Sequence, residues 1–277
     1  MKNLLVTLND YDMRGPLSRF AARLAKHFGS RLDGLYVVPA LRLYPVVTVH
    51  VPPEVFEAQR KVFRQRGEEV RAAFEQACSE QGVQHGWHLF ESFTPLVADA
   101  VIEMARPRDL VIAAQPPAEE EPDEEADFAD RLVMETGRPV LFVPRSGQRE
   151  TKFDHVVVGW NDTREATRAL HDSLPLLWRA KRVEIVWVDP PERQNGDHDP
   201  LADMVAALKR HEVPAEAVRL NSAGRTPGQT LLAHAGEGNA DLLVSGAWGH
   251  SRLREYVFGG ATQRLLRDMT LPVFMAH

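Results

Sequence analysis

Four glycines near the end of the chain have the spacing and the placement to hold an anion. They follow an apolar run, Asp241–Ser245, and the last of them precedes a segment with helical character. The four are Gly246, Gly249, Gly259 and Gly260. Glycine lets a backbone approach a ligand closely and adopt positive φ. The start of a helix adds free N–H groups and the positive end of a dipole. The pattern predicts an anion site, best suited to a chain of phosphates.

The residues between the glycines support this chemistry. Arg252 and Arg254 add positive charge to the loop, and His250 could contact a phosphate, although a surface role is the commoner one for a loop histidine. Ligands of open α/β sheets bind beyond the carboxyl ends of the strands, which is where this loop lies. A tight turn after the strand is the alternative reason for the glycines.

One pattern occurs twice along the chain, and it predicts the elements that position this loop. In each copy an apolar strand that begins with Asp-Leu is followed by a crossover and by a second apolar strand entered through proline. Asp109 precedes Pro139 by 30 residues, and Asp241 precedes Pro272 by 31. The first strands begin near Leu4 and Val156, so the repeat predicts two similar domains.

Each copy alternates strands with amphipathic helices in the order β-α-β-α-β-α-β-α-β. Parallel neighbours need such crossovers, and right-handed crossovers give a doubly wound sheet with helices on both faces. We place the domains at residues 1–146 and 152–277, joined by a short polar linker. The first copy is longer, with extra residues around Pro39 to Pro53.

The spacing Gly-x2-Gly-x9-Gly, between a strand and a helix, resembles that of the universal stress protein family. The resemblance covers nearly the whole chain and indicates a tandem member. It implies two Rossmann-like, doubly wound, parallel five-stranded units (adenine nucleotide alpha hydrolase-like), packed as an internal pseudo-dimer through the strands around Val140 and Val273. It also implies an adenine nucleotide, usually ATP, with or without Mg.

The family pattern transfers to this chain residue by residue. The phosphate-binding glycines fall on Gly246, Gly249 and Gly259. The next position, usually Ser or Thr, is Gly260, which keeps its N–H but lacks a hydroxyl; Ala261 follows, and Thr262 is a substitute for that hydroxyl. The carboxylate expected near the ribose is replaced by Asn161 or, with the register shifted by one, is Asp162. Val188 falls near the adenine.

The first copy lacks this loop. Its equivalent segment begins Gln115-Pro-Pro, and six of the seven residues from Glu119 to Glu125 are acidic. Prolines remove backbone donors, and like charge repels a phosphate. We therefore expect no nucleotide in the first domain. The acid run is interpreted as a solvated loop, with a cation site as the alternative.

Composition excludes several other classes of protein. The net charge of −6 argues against binding nucleic acid through the overall field. Cys78 is the single cysteine, so no internal disulfide can form, and a reducing compartment is expected. The N-terminal apolar run is too short for a signal peptide, and no stretch reaches the length of a membrane span. These features predict a cytoplasmic protein that does not bind membranes.

Motifs for other chemistry are missing from the sequence. It contains no His-Glu-x-x-His, Cys-x-x-Cys, P-loop or Gly-x-Ser-x-Gly pattern, so we expect no metal site and no catalytic residues. His85 and His88 lie in a predicted strand and point to opposite faces. The segment from Glu54 to Gln76 is predicted to be a long helix. Tyr44–Val51 either covers the sheet or forms a docking surface or dimer contact.

Three functions remain open at this stage. The leading hypothesis is a stress-response or signalling protein that binds an adenine nucleotide in its second domain only and presents the bound state to a protein partner. The second is a nucleotide-free scaffold whose site has decayed, which Gly260 and Asn161 favour. The third is a slow ATPase or other hydrolase, with Asp162 as candidate base. Either a monomeric pseudo-dimer or a homodimer is compatible with the repeat.

Overall fold

The computed structural model describes residues 1–40, 52–117, 125, 127–147, 151–192, 198–247 and 261–277, without the side chains of 261–263. Strands and helices alternate through nearly all of it. In chain order they are β1 (Asn3–Thr7), α1 (Arg14–Phe28), β2 (Arg31–Val38), α2 (Pro53–Gln81), β3 (His85–Glu91), α3 (Val97–Ala105), β4 (Leu110–Ala114), α4 (Phe128–Glu135), β5 (Val140–Val143), β6 (His155–Gly159), α5 (Arg164–Leu177), β7 (Arg182–Val188), α6 (Pro200–Arg210), β8 (Ala215–Leu220), α7 (Pro227–Glu237), β9 (Leu242–Gly246), α8 (Ala261–Asp268) and β10 (Val273–Ala276). The predicted role of Tyr44–Val51 lies outside the described residues.

The chain divides into two compact units. The first unit contains Met1–Ala114 and Glu120–Arg138, and the second contains Gln115–Glu119 and Pro139–His277. Strand β5, which the repeat assigns to the first domain, therefore groups with the second unit. The domain boundaries at 146 and 152 stay a prediction.

The two units repeat one strand order. The first unit has the order β3-β2-β1-β4, and the second has β8-β7-β6-β9-β10 followed by β5. Neighbouring strands are parallel from β3 to β4 in the first unit and from β8 to β10 in the second. The predicted α/β fold of two Rossmann-like units is thereby confirmed.

The predicted pairing of the two last strands is also confirmed. Strand β10 pairs antiparallel with β5, with Val273 opposite Phe142 and Met275 opposite Val140. All residues of both strands are buried. This pair lies within the second unit, where it continues the sheet beyond β9.

The helices bury one face each, as their amphipathic sequences predict. Helix α2 starts with Pro53 at its first turn and ends at Gly82, which adopts the left-handed conformation with φ 65°. It buries Cys78, and this burial raises the pKa of the thiol to about 12. Cys78 is thus a core residue. Among the helices in the described ranges, none combines the length and hydropathy that crossing a membrane requires.

Candidate functional site

The predicted site falls at the carboxyl ends of β6, β7 and β9, and the structure describes part of it. Gly246 ends β9, Val188 ends β7, and Asn161 and Asp162 follow β6. Helix α8 begins at Ala261 and continues through Thr262, although their side chains are outside the description. The remaining predicted residues lie outside the described ranges; they are Gly249, His250, Arg252, Gly259 and Gly260, with Arg254 between them.

Gly246 is a glycine because helix α5 packs directly against it. A Cβ at this position would lie 2.5 Å from the backbone nitrogen of Ala166 and 2.6 Å from the backbone carbon of Glu165. Such distances are far inside van der Waals contact, and backbone atoms cannot move aside as a flexible side chain can. The first glycine of the pattern therefore brings the start of the loop against the first turn of α5, in addition to any contact with a ligand.

The first turn of α5 is an ordered, capped helix start. Thr163 accepts a hydrogen bond from the Ala166 N–H at 3.3 Å through its hydroxyl oxygen, and this hydroxyl donates to the side-chain oxygen of Asn161 at 2.8 Å. Asp162 adopts a left-handed backbone conformation with φ 58°, which Asp tolerates better than most residues. Asn161 and Asp162 are both exposed, so their polar groups face the outside of the sheet edge.

Strand β7 ends in an ordered turn beside this helix start. Val188 is half-buried and pairs with Leu220 of β8. The next residue, Asp189, accepts a hydrogen bond from the backbone N–H of Ser222 at 2.9 Å. The hydrogen bonds from Ser222 hold the pKa of the Asp189 carboxyl below its usual range. The carboxylate thus anchors the segment after β8 to the end of β7.

Two tryptophans lie beneath these strand ends. Trp160 follows β6 and Trp187 lies in β7; both are buried, and their rings meet edge to face at 5.4 Å. The indole N–H of Trp160 donates to the Thr167 hydroxyl at 3.3 Å. Since Trp160 precedes Asn161 and Trp187 precedes Val188, their fluorescence is a natural reporter for this edge of the sheet.

Sequence reasoning missed two residues at the entrance to the loop. The Arg164 guanidinium lies 3.4 Å from Nε2 of His277, and Nδ1 of His277 lies 2.9 Å from the carbonyl oxygen of Ala247. The Arg164 side chain is 77 % exposed and also pairs with Glu165 at 3.0 Å. Arg164 brings a positive charge to the capped start of α5. Its position after the cap Thr163 was a usable signal; the position of His277 required the tertiary fold.

The helix that follows the glycine loop is anchored at its other end. Gln115, only 7 % exposed, donates from its side-chain nitrogen to the carbonyl oxygens of Leu266 at 2.9 Å and Arg267 at 2.8 Å. Its side-chain oxygen accepts the backbone N–H of Arg145 at 2.9 Å. The last carbonyls of a helix lack partners within the helix, so Gln115 acts as a cap for α8. Sequence reasoning had assigned this residue no role.

The equivalent edge of the first unit is closed by its own side chains. Asn9 donates from its amide nitrogen to the carbonyl oxygen of Val37 at 2.7 Å, and its amide oxygen accepts the Val37 N–H at 3.0 Å. The side chain thereby occupies both backbone groups at the end of β2. By strand register, Asn9 and Val37 are the counterparts of Asn161 and Val188, because Leu8 and Trp160 each donate a backbone bond to the second strand.

The side chain of one residue of the acid run, Glu125, is buried, which corrects the interpretation of that residue as part of a solvated loop. The Glu125 side chain is 5 % exposed, accepts the Ala98 N–H in the first turn of α3 at 3.1 Å, and pairs with Arg131 at 3.0 Å. Arg131 also bonds Asp99 at 2.7 Å, and this contact holds the pKa of Asp99 below its usual range. Residues 119–124 lie outside the described ranges.

A cation site, the alternative for the acid run, gains no support from the part of the chain that is described. There, no group of three or more His, Cys, Asp or Glu side chains is arranged to hold a metal ion. Glu125 instead satisfies its charge through Arg131 and the α3 backbone.

Comparison with known proteins identifies a family for the second half of the chain. Residues 152–277 match the universal stress protein family, and a universal stress protein of Synechocystis sp. is 23 % identical over 99 % of both chains. The second half of the chain belongs to the universal stress protein family. The predicted family resemblance is thus confirmed.

Solved structures share the fold at low sequence identity. A universal stress protein from Archaeoglobus fulgidus superposes with a TM-score of 0.76 at 15 % identity, over 99 % of this chain and 95 % of that chain. A protein of unknown function from Pseudomonas aeruginosa gives a TM-score of 0.55 at 15 % identity, over 100 % of this chain and 92 % of that chain. These similarities establish the fold of this family member.

Proposed function

We propose that the second unit binds an adenine nucleotide, ATP in particular, and that the first unit binds none. The bound and free states would differ in the surface offered to a protein partner, which is how a non-enzymatic stress-response or signalling protein in the cytoplasm can report on nucleotide level. The observation that carries the proposal is that the neighbouring strands β6, β7 and β9 bring Asn161, Val188 and Gly246 to one edge of the sheet, where the Gly-x2-Gly-x9-Gly segment begins.

The described part of the second unit has suitable groups for each portion of a nucleotide. The end of β7 at Val188 is half-buried, as an adenine neighbour should be. Asn161 is exposed two residues beyond β6 and offers an amide that can hydrogen-bond a ribose hydroxyl. The capped start of α5 and the exposed Arg164 supply positive potential where phosphates would emerge. The rest of the proposed phosphate site, the glycines from Gly249 to Gly260, is inferred from the sequence alone.

A magnesium ion would arrive with the phosphates. The donor set is compatible with this, because Asp162 is an exposed carboxylate at the same edge, and Mg²⁺ prefers oxygen ligands with few protein contacts. Among the described residues, no three His, Cys, Asp or Glu side chains are arranged to hold a metal ion without the nucleotide. The ion would neutralise phosphate charge there, while Asp162 and Asn161 hold the nucleotide by hydrogen bonds.

The first unit is proposed to be empty because its own side chains occupy the equivalent groups. Asn9 satisfies both backbone groups of Val37, so an adenine edge finds no free donor or acceptor there. Glu125 adds a buried negative charge to the same unit, where it accepts the Ala98 N–H in the first turn of α3. A nucleotide would have to displace both contacts and approach the acid run.

Native mass spectrometry of the purified full chain, followed by calorimetric titration with ATP, tests this proposal. We expect one nucleotide per chain, and we expect Gly249→Asp to abolish binding because it adds a side chain and a negative charge where phosphate oxygens would lie. Gly236→Asp is the matched control: it adds the same charge in the same unit, at an exposed helix position with no atom within 4 Å of the new Cβ.

Other outcomes would select the competing functions. If no nucleotide survives purification and the Kd for ATP is weaker than about 1 mM, the site has decayed and the protein is a scaffold. If two nucleotides bind per chain, the first unit is not closed. Sustained phosphate release that Gly249→Asp abolishes would indicate an ATPase, and Asp162→Asn would then test the candidate base.

A further inference from the structure

The second unit contains a buried carboxylate that the proposed nucleotide site does not use. Glu184 lies in β7 and is 3 % exposed. Its two oxygens are 2.6 Å from Nε2 of His155 in β6 and 2.7 Å from Nε2 of His234 in α7, and Arg182 approaches to 3.2 Å. Burial alone would raise the pKa of Glu184, but the hydrogen bonds from His234 and His155 outweigh it and hold this pKa below its usual range. A charged Glu184 is therefore shared by two imidazoles.

His155 has an acceptor at each ring nitrogen. Nε2 faces the Glu184 carboxylate, and Nδ1 lies 3.2 Å from the carbonyl oxygen of Gly238. Neither oxygen can donate a proton, and a neutral imidazole carries only one N–H. Both contacts are hydrogen bonds only when the ring is the doubly protonated imidazolium.

The charges on the surrounding elements support a cationic ring. On β7 itself, Arg182 is shared between Glu184 and Glu216 of the neighbouring β8, which it meets at 2.7 Å. One guanidinium thus balances two carboxylates, and a protonated imidazole supplies the missing positive charge. Asp241 accepts the backbone N–H of His155 at 2.9 Å, which adds further negative potential beside the ring.

The contacts join three elements at one point. His155 begins β6, Glu184 lies in β7, and His234 lies in the last turn of α7, whose C-cap is Gly238. Because Gly238 and His234 belong to the same helix end, the cluster ties the C-terminal end of α7 to two strands. Losing a proton from His155 removes at least one of these ties.

The first unit has a similar buried carboxylate, but guanidinium groups are its nearest partners. Asp33 occupies the third position of β2, as Glu184 does in β7, and is 4 % exposed. Its partners are Arg108 at 2.6 Å and Arg31 at 3.1 Å, with His88 further away at 4.0 Å. Guanidinium groups stay charged throughout the physiological pH range. The two nearest partners of Asp33 therefore keep their charge across the pH range in which a histidine can lose its proton.

We propose that His155, His234 and Glu184 form a proton-dependent latch that fixes the C-terminal end of α7 in mildly acidic solution and releases it as the pH rises. Because both contacts of His155 require a protonated ring, they stabilise the end of α7 when the proton is bound and are lost when it leaves at higher pH. Glu184 sets the acid limit, because its contribution is lost as the pH falls through its lowered folded-state pKa.

Hydrogen exchange of the full chain between pH 5.5 and 8.5, corrected for the intrinsic exchange rate, tests the latch without any substitution. We expect the protection of peptides covering α7 to fall on the order of tenfold across this range, the effect of losing one hydrogen bond that holds the end of the helix. Peptides covering α3 of the first unit should keep their protection. Equal profiles for α7 and α3 would overturn the proposal.

Substitutions then assign the effect to the cluster. Glu184→Gln and His155→Gln should flatten the pH profile of α7, and His234→Gln should reduce it. His198→Gln is the control histidine, because His198 is exposed and pairs with the exposed Asp203. Asp33→Asn should weaken the first unit at every pH without adding a slope. If His198→Gln changes the pH profile of α7 as much as His155→Gln does, the assignment is refuted. Glu184→Gln could unfold the second unit. The comparison of the two histidine variants would remain available in that case, because His155→Gln retains a side-chain donor.

Discussion

Each unit has an asparagine two residues beyond its first strand, and the two side chains make different contacts. Asn9 closes the strand edge of the first unit with two hydrogen bonds to the Val37 backbone, whereas Asn161 of the second unit bonds Thr163 and stays exposed. Asn9 is thus a structural clasp, and Asn161 is available to a ligand. Equivalent sequence at equivalent positions therefore does not imply equivalent function, because the neighbours of each side chain differ.

The buried acids of the second strands repeat this lesson. Asp33 is held by guanidiniums and Glu184 mainly by imidazoles. In the first unit, carboxylates such as Glu125 and Asp33 have permanent partners. In the second, Asn161 is exposed, and the buried Glu184 is bonded by two imidazoles and one guanidinium. The first unit therefore pairs its buried carboxylates with groups that stay charged, and the second pairs its buried carboxylate mainly with groups that can gain or lose a proton.

The largest effect should come from removing the arginine that pairs with the buried Glu125 side chain of the acid run. Arg131→Met leaves the buried Glu125 without its cation and should lower the free energy of unfolding of the first unit by about 3 kcal/mol, the cost of an uncompensated buried charge. The measurement is urea unfolding at pH 7. Arg168→Met, which removes the exposed pair with Asp172, should cost no more than about 0.5 kcal/mol. Equal losses would mean that Glu125 is solvated after all.

The next effect concerns the glycine that starts the loop of the second unit. Gly246→Ala puts a Cβ against the α5 backbone and should destabilise the second unit by about 1–3 kcal/mol. Gly236→Ala, in open space on α7, should instead stabilise it by about 0.5–1 kcal/mol through helix propensity. Thermal unfolding of both variants measures the difference. A tolerated Gly246→Ala would leave phosphate binding as the sole reason for this glycine.

Alanine substitutions of the two asparagines, Asn9 and Asn161, should have opposite effects on stability and on ATP binding. Asn9→Ala should cost the first unit about 1–2 kcal/mol, because two hydrogen bonds to Val37 are lost, and it should leave nucleotide affinity unchanged. Asn161→Ala should change stability by less than about 0.5 kcal/mol and weaken ATP binding. Urea unfolding and calorimetry on both variants check this. If Asn161→Ala is the more destabilising substitution, the contrast drawn between the two edges is wrong.

The smallest effect should be that of the cation beside the loop. Arg164→Gln should weaken ATP binding about fivefold and AMP binding less, because an exposed guanidinium contributes modestly and acts on the outer phosphates. Arg168→Gln, one turn further along α5, is the matched control. Titrations followed by tryptophan fluorescence give both affinities. Equal loss for ATP and AMP would place Arg164 away from the outer phosphates.

The repeat and the class of fold could be predicted from sequence. Alternating strands and helices, the Asp-Leu strands and the proline entries before Val140 and Val273 were enough to predict parallel sheets, whereas the family resemblance implied the pairing of β5 with β10. The helix predicted from Glu54 to Gln76 extends from Pro53 to Gln81. The elements and their order depend on local periodicity and spacing, which can be read from short stretches of the sequence.

The site was predicted less completely. Sequence pointed to Gly246, Asn161, Asp162 and Val188, and these do come to one edge of the sheet. It did not reveal that Gly246 packs on α5. It also missed Arg164 and His277 at the start of the loop, and the role of Gln115 as the cap of α8. Each of these depends on residues far apart in the chain.

The sequence by itself therefore determined the elements, their order and the type of chemistry that the glycine segment can perform. Only the tertiary structure decided which polar groups are already occupied: Asn9 by Val37, Glu125 by Arg131, and Glu184 by two histidines. The physical reason is that periodicity fixes which face of an element is buried, whereas the partner of a buried polar group is set by the packing of elements that are distant in sequence.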